Sequence, residues 1–173
     1  MTATAVVTAS GARAAKFPSR THADANGKLY LHPGEFAVAG VPCTITTILG
    51  SCVSVCLYDQ SAHLGGLNHF LLPTAPAHDQ SPRFGDVALF QLITMLESLG
   101  AQRRHLTASV IGGACVLDAY RGNIGHIGRQ NARMALKALR EQRIAVTTVE
   151  VGGDHARKLR FRPDTGYLLV SRI

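Results

Sequence analysis

The stretch that most limits how this chain can fold is Thr46–Pro73, T-T-I-L-G-S-C-V-S-V-C-L-Y-D-Q-S-A-H-L-G-G-L-N-H-F-L-L-P. Two apolar runs rich in β-formers flank a polar turn at Asp59–Ala62, which predicts a β-hairpin. With Gln60 and Ser61 as the loop, Asp59 pairs with Ala62, and the ladder runs down to Cys52 opposite His69. Val53, Val55 and Leu57 then share a core face with Leu64 and Phe70. Cys52, Ser54 and Cys56 share the other face with His69. Directly opposed residues stand about 4.5–5.5 Å apart at Cα, so a thiol meets an imidazole. Gly65-Gly66 is expected to form a bulge.

A thiol beside an imidazole is the minimum for a sulfur nucleophile. The free group, with a pKa of about 8.5, is mostly protonated near neutrality, and the imidazole can take its proton and hold the thiolate. The ring needs a third group to fix its tautomer. By residue type the candidates are Thr46, Thr47, Ser54 and Asn68. Asn68 precedes His69 on the same strand, so its side chain points to the opposite face. Gly50 and Ser51 present small side chains beside Cys52. They let a substrate approach and can aim backbone N–H groups at a developing oxyanion. Gly112 and Gly113 end a later strand and are expected to line a substrate groove.

Residues 1–28, rich in Ala, Thr, Ser and Gly, read as a flexible N-terminal tail, and 29–173 as a single domain. No apolar run approaches the roughly 20 residues needed to cross a bilayer, and the tail has no secretory core. The four cysteines, at 43, 52, 56 and 115, form no C-x-x-C and no zinc spacing. A reducing cytoplasm, with neither membrane insertion nor disulfides, is the expected setting. A net charge of +7 is spread over arginines and lysines without a nucleic-acid-binding motif. It therefore reads as a solvated basic surface suited to an acidic protein partner rather than to nucleic acid.

Two long helices are predicted, 84–99 and 129–143. The first has Asp86 as N-cap, Gly100 at its C-terminal end, and a stripe of Leu89, Leu92, Ile93, Leu96 and Leu99. The second buries Ala132, Ala135, Leu136 and Leu139. Strands are expected at 29–31, within 36–48, on both arms of the hairpin, at 106–111 and 144–151, and as a second hairpin over 159–162 and 167–173. Seven or eight strands not interleaved one for one with helices favour an α+β fold.

Several fragments together resemble the chemoreceptor glutamine deamidases of the CheD family. They are L-G-S-C-V-S-V-C-L-Y-D, G-G-L-N-H-F-L-L-P, F-G-D-V-A-L, G-G-A at Gly112–Ala114, I-G-R-Q-N at Ile127–Asn131, and G-G-D with R-K-L-R-F and D-T-G from Gly152 to Gly166. The resemblance spans about residues 30–173. It implies a layered α/β/β sandwich of mixed sheets, and a catalytic set of Thr46, Cys52 and His69. Asn131 and Arg129 depart from the family pattern, where an acidic residue is commoner beside the Asn, and stay outside that set. The implied activity is hydrolysis of receptor glutamine to glutamate through a thioester, needing neither metal nor organic cofactor, with receptor glutamyl methyl esters as further substrates. The implied partners are the cytoplasmic domains of chemotaxis receptors and a CheC-type phosphatase. Against this stand a non-catalytic chemotaxis adaptor with an inert Cys52, and a different cysteine amidase or thioesterase.

Overall fold

The computed structural model describes residues 4–6, 15–17, 27–116 and 126–173. The strands are β1 (Thr4–Val6), β2 (Ala15–Phe17), β3 (Lys28–Tyr30), β4 (Glu35–Ala39), β5 (Thr44–Leu49), β6 (Val53–Asp59), β7 (Leu64–His69), β8 (Leu106–Gly112), β9 (Ala145–Val151), β10 (Arg157–Arg162) and β11 (Tyr167–Arg172). The helices are α1 (Gly85–Ser98) and α2 (Ile127–Glu141). One sheet runs β1-β2-β4-β7-β6-β8-β9 and the other β11-β10-β5-β3. Both are mixed, with β8–β9 and β3–β5 parallel. The expected α+β class and its three layers are present: helices, large sheet, small sheet.

Strand periodicity builds the layers. Val53, Val55 and Leu57 of β6 point into a core shared with Leu89, Leu92, Ile93 and Leu96 of α1 and with Ala132, Ala135 and Leu139 of α2. Cys56 of the same strand points into a second core, between the sheets, with Leu67, Ile45, Leu49, Ile111, Leu159 and Phe161. Both faces of β6 and β7 are therefore covered, which explains two strands that are almost wholly buried. Fully burying a side chain such as Leu92 or Leu96 is worth about 1.5–3 kcal/mol.

Three expectations need correction. First, the hairpin turn holds four residues, since Asp59 pairs with Leu64. The buried Asp59 causes this. Its Oδ1 accepts from Ala62 N at 3.0 Å and its Oδ2 from Gln102 N at 2.8 Å, so the chain wraps around the carboxylate. Second, Gly65 and Gly66 form no bulge but pair regularly with Tyr58 and Leu57. Gly66 is there for want of space: a Cβ would stand 2.6 Å from Ala37 O and 2.9 Å from Leu92 Cδ1. Third, Asp86 does not cap α1, whose N-cap is Phe84. Asp86 is the second residue of the helix, and its carboxylate accepts from Ala75 N, holding the preceding loop.

The N-terminal segment read as a flexible tail contributes β1 and β2. They pair with each other, and β2 meets β4 at Lys16–Val38. The remainder of 1–26, and the start of the glycine-rich stretch from Gly122, lie outside the described residues. Among the described residues, no helix is long and apolar enough to cross a membrane.

Candidate active site

The site lies at the open end of the β6–β7 hairpin, where the ladder finishes. The last pair is Val53–Phe70, closed by two backbone bonds of 3.1 and 3.0 Å. Extending this register sets Ser54 opposite His69 and Cys52 opposite Leu71, so Cys52 is the diagonal neighbour of His69 rather than its direct partner. The four-residue turn has slipped the expected pairing by two residues. A slip of one would have turned every side chain over, whereas a slip of two preserves the faces. Cys52 and His69 thus share the inter-sheet face, and diagonal neighbours in a regular ladder stand about 7–8 Å apart at the backbone. Cys52 is half-buried against the second core, and His69 is 2% exposed.

The hydroxyl that meets the His69 ring is that of Thr47 rather than that of Thr46. On β5 the inward positions are Ile45, Thr47 and Leu49, while Thr46 is half-exposed on the opposite face. Thr47 Oγ1 lies 2.8 Å from His69 Nδ1 and donates to Leu31 O at 2.8 Å. A hydroxyl has one proton, and a carbonyl can only accept. Thr47 therefore spends its proton on Leu31 and must accept from the ring. This fixes the neutral tautomer with hydrogen on Nδ1 and leaves the Nε2 lone pair bare. Nε2 is buried and has no hydrogen-bond partner among the described residues.

Burial dominates the electrostatics. It pushes the His69 imidazole down to about 4; the Leu31 carbonyl opposes this and His32 adds to it. Burial also pushes the Cys52 thiol up, opposed by its own backbone N–H. Both shifts favour a neutral thiol beside a neutral imidazole. They run against the preformed thiolate–imidazolium pair expected from the residue types. Cys56, four residues on and on the same face, is buried and pushed up to about 12.

The remaining expected residues surround Cys52 through their backbones. Gly113 N donates to Cys52 O at 2.8 Å, and Ala114 N donates to Gly50 O at 2.8 Å. Gly112 has φ +115, and a Cβ there would stand 2.3 Å from Cys52 O, so only glycine lets this loop close on the Cys52 turn. Gly112 and Gly113 thus buttress the turn, and the Gly113 N–H is already committed. Gly50 is not constrained in this way: the nearest atom to a Cβ would be Val116 Cγ2 at 4.0 Å, which leaves the approach to Cys52 open. Ser51 offers its carbonyl to Asn131, whose Nδ2 donates to Ser51 O at 3.2 Å and to Leu71 O at 2.8 Å.

Two residues of this arrangement were named in the sequence but not singled out. Thr47 was one of four candidates, and the parity of Ile45 and Leu49 pointed to it. Asn131 stands three residues after Gly128, one helical turn, on the face turned to the site. The small-residue signal of Gly128 was visible, but what it packs against was not.

A family model described as CheD chemotactic sensory transduction matches residues 71–172. A protein of Anaeromyxobacter dehalogenans (strain 2CP-C), named probable chemoreceptor glutamine deamidase CheD 1, is 47% identical over 146 residues, covering 84% of this chain and 85% of the relative. A relative in Trichlorobacter lovleyi, named probable chemoreceptor glutamine deamidase CheD, is 40% identical over 146 residues, covering 84% and 90%. A third, of the same name in Sulfurimonas denitrificans, is 36% identical over 147 residues, covering 84% and 94%. With matches over most of both partners' lengths, the chain belongs to the CheD family.

Proposed function

We propose that this chain deamidates glutamine side chains of chemotaxis receptors in the cytoplasm, with Cys52 as nucleophile, His69 as acid–base and Thr47 as the group that orients the ring. The observation that carries the reading is the bare Nε2 of His69, whose Nδ1–H is tied to Thr47, on the face of the sheet that bears Cys52. The names of the 36–47% identical relatives supply the substrate class.

The Cys52 sulfur attacks the carboxamide carbon while His69 Nε2 takes the thiol proton. The carbonyl oxygen becomes an oxyanion, and the Cys52 backbone N–H, which already faces its own sulfur, is the nearest donor for it. The C–N bond then breaks and Nε2–H passes its proton to the departing ammonia. Water, deprotonated by the same nitrogen, cleaves the thioester. The sulfur leaves as thiolate, recovers the proton, and glutamate remains. A glutamyl methyl ester would enter through the same thioester with methanol as the leaving group. A CheC-type phosphatase is the proposed regulatory partner.

The test is mass spectrometry of receptor incubated with wild type, Cys52→Ala and Cys56→Ala. Gln-to-Glu conversion is expected from wild type and Cys56→Ala, and a loss of at least about 10³-fold from Cys52→Ala, on the scale of other lost nucleophiles. Undiminished conversion by Cys52→Ala sinks the mechanism. A folded wild type that converts no glutamine favours the adaptor reading.

A further inference from the structure

Val53–Phe70 is the last backbone pair between the two strands, with His69 just before it on β7 and Cys52 just past it. Past that pair, the Cys52 turn and the continuation of the His69 strand are joined by a side chain from another layer. Asn131, in the second turn of α2, is fully buried, and its amide bridges the carbonyl of Ser51, just before the nucleophile, to that of Leu71, two residues after His69. Both protons of Nδ2 are used. The reverse orientation would press the amide oxygen against two carbonyl oxygens, so chemistry fixes which end is which.

The helix that carries this amide is itself locked to the nucleophile turn. A Cβ on Gly128 would stand 2.5 Å from Gly113 O, and one on Gly113 would stand 2.6 Å from Gly128 O. The backbones of α2 and of the Gly112–Gly113 loop are therefore in direct contact, and Gly113 N binds Cys52 O. His126 Nδ1 accepts from Gly128 N and fixes the start of the helix. Asn131 is one turn further along the same face.

We infer that Asn131 is a positioning residue: its amide sets the distance between the Cys52 turn and the His69 strand where the sheet no longer does. The inference rests on the proposed Cys52–His69 chemistry and adds a residue which that chemistry does not itself require. Reacting groups displaced by about 1 Å lose on the order of 10²-fold in rate. Asn131→Ala, and the isosteric Asn131→Asp that lacks both donors, are expected to lower kcat by about that factor with KM changed less than about threefold.

A double-mutant cycle separates positioning from general loosening. Iodoacetamide alkylation of Cys52, read by peptide mass spectrometry, is measured with His69 and with His69→Gln, in the Asn131, Asn131→Ala and Asn131→Asp backgrounds. Leu139→Ala, which opens the core under the same helix, is the control for lost stability. With Asn131 intact, His69→Gln is expected to change the Cys52 rate about tenfold. Without the amide that dependence should shrink below about twofold, while Leu139→Ala retains it. Should Asn131→Ala fail to fold, Asn131→Asp decides by the same reading. Dependence on His69 that survives in the Asn131 variants, or that is lost equally in Leu139→Ala, overturns the inference. A Cys52 indifferent to His69 even with Asn131 present refutes the catalytic pair instead, and the inference with it.

Discussion

The two ends of the β6–β7 hairpin are held by different means. At the turn end, backbone pairing is unbroken from Asp59–Leu64 to Cys56–Leu67, and the buried Asp59 carboxylate satisfies the turn. At the open end the ladder gives way to side chains. Asn68 Oδ1 takes the Val55 N–H at 2.8 Å, and Asn131 spans Ser51 and Leu71. The turn end could tolerate a two-residue error in the expected register because pairing there is generic. The open end could not be read from pairing alone, because its geometry is set by residues 47 and 131, distant in the chain. Cys56 and Cys52 follow the same division: one is a small buried hydrophobe, the other is half-buried at the open end on the face that carries His69.

Lowering the pH should strain the open end and spare the turn end. Folded His69 titrates near 4, against about 6.5 in an unfolded chain. Between these values the unfolded state binds the extra proton, so stability is whole above about 6.5 and falls as pH drops toward 4. A shift of this size corresponds to about 3 kcal/mol. Urea unfolding at a series of pH values should show this loss in wild type and a flatter profile over the same window in His69→Gln. An equal slope in both would remove His69 as the cause.

A smaller effect sharpens the contrast between the two faces of β5. Thr47→Val keeps the shape but removes the acceptor that holds Nδ1–H. It should cost about 10- to 100-fold in kcat, the range seen when the group orienting a working histidine is removed. Thr46→Val, on the opposite face, should stay within about threefold. Equal losses, or a larger loss for Thr46→Val, would return the orienting role to Thr46.

How much of this was legible in the sequence follows from the range of each interaction. The face of each strand survives local error because parity has period two, so the Cys52–His69 face and the core of Val53, Val55 and Leu57 were readable despite the wrong turn. The turn itself was missed because Asp59 acts through a tertiary bond to Gln102. Gly65 and Gly66 suggested a bulge, but what leaves no room for a side chain is the Pro163 backbone at Gly65 and β4 with Leu92 of α1 at Gly66, which no local pattern records. Thr47 was readable in principle from Ile45-x-Thr47-x-Leu49. Asn131 was not, since its two partners lie 80 and 60 residues away.

The most direct measurement is the nitrogen chemistry of the His69 ring. Long-range ¹H–¹⁵N correlation on the labelled protein at neutral pH should find Nδ1 protonated and Nε2 bare, with no imidazolium until the pH approaches 4. A ring protonated on Nε2, or already charged at neutral pH, would contradict the account of how Thr47 readies this histidine to take the proton of Cys52.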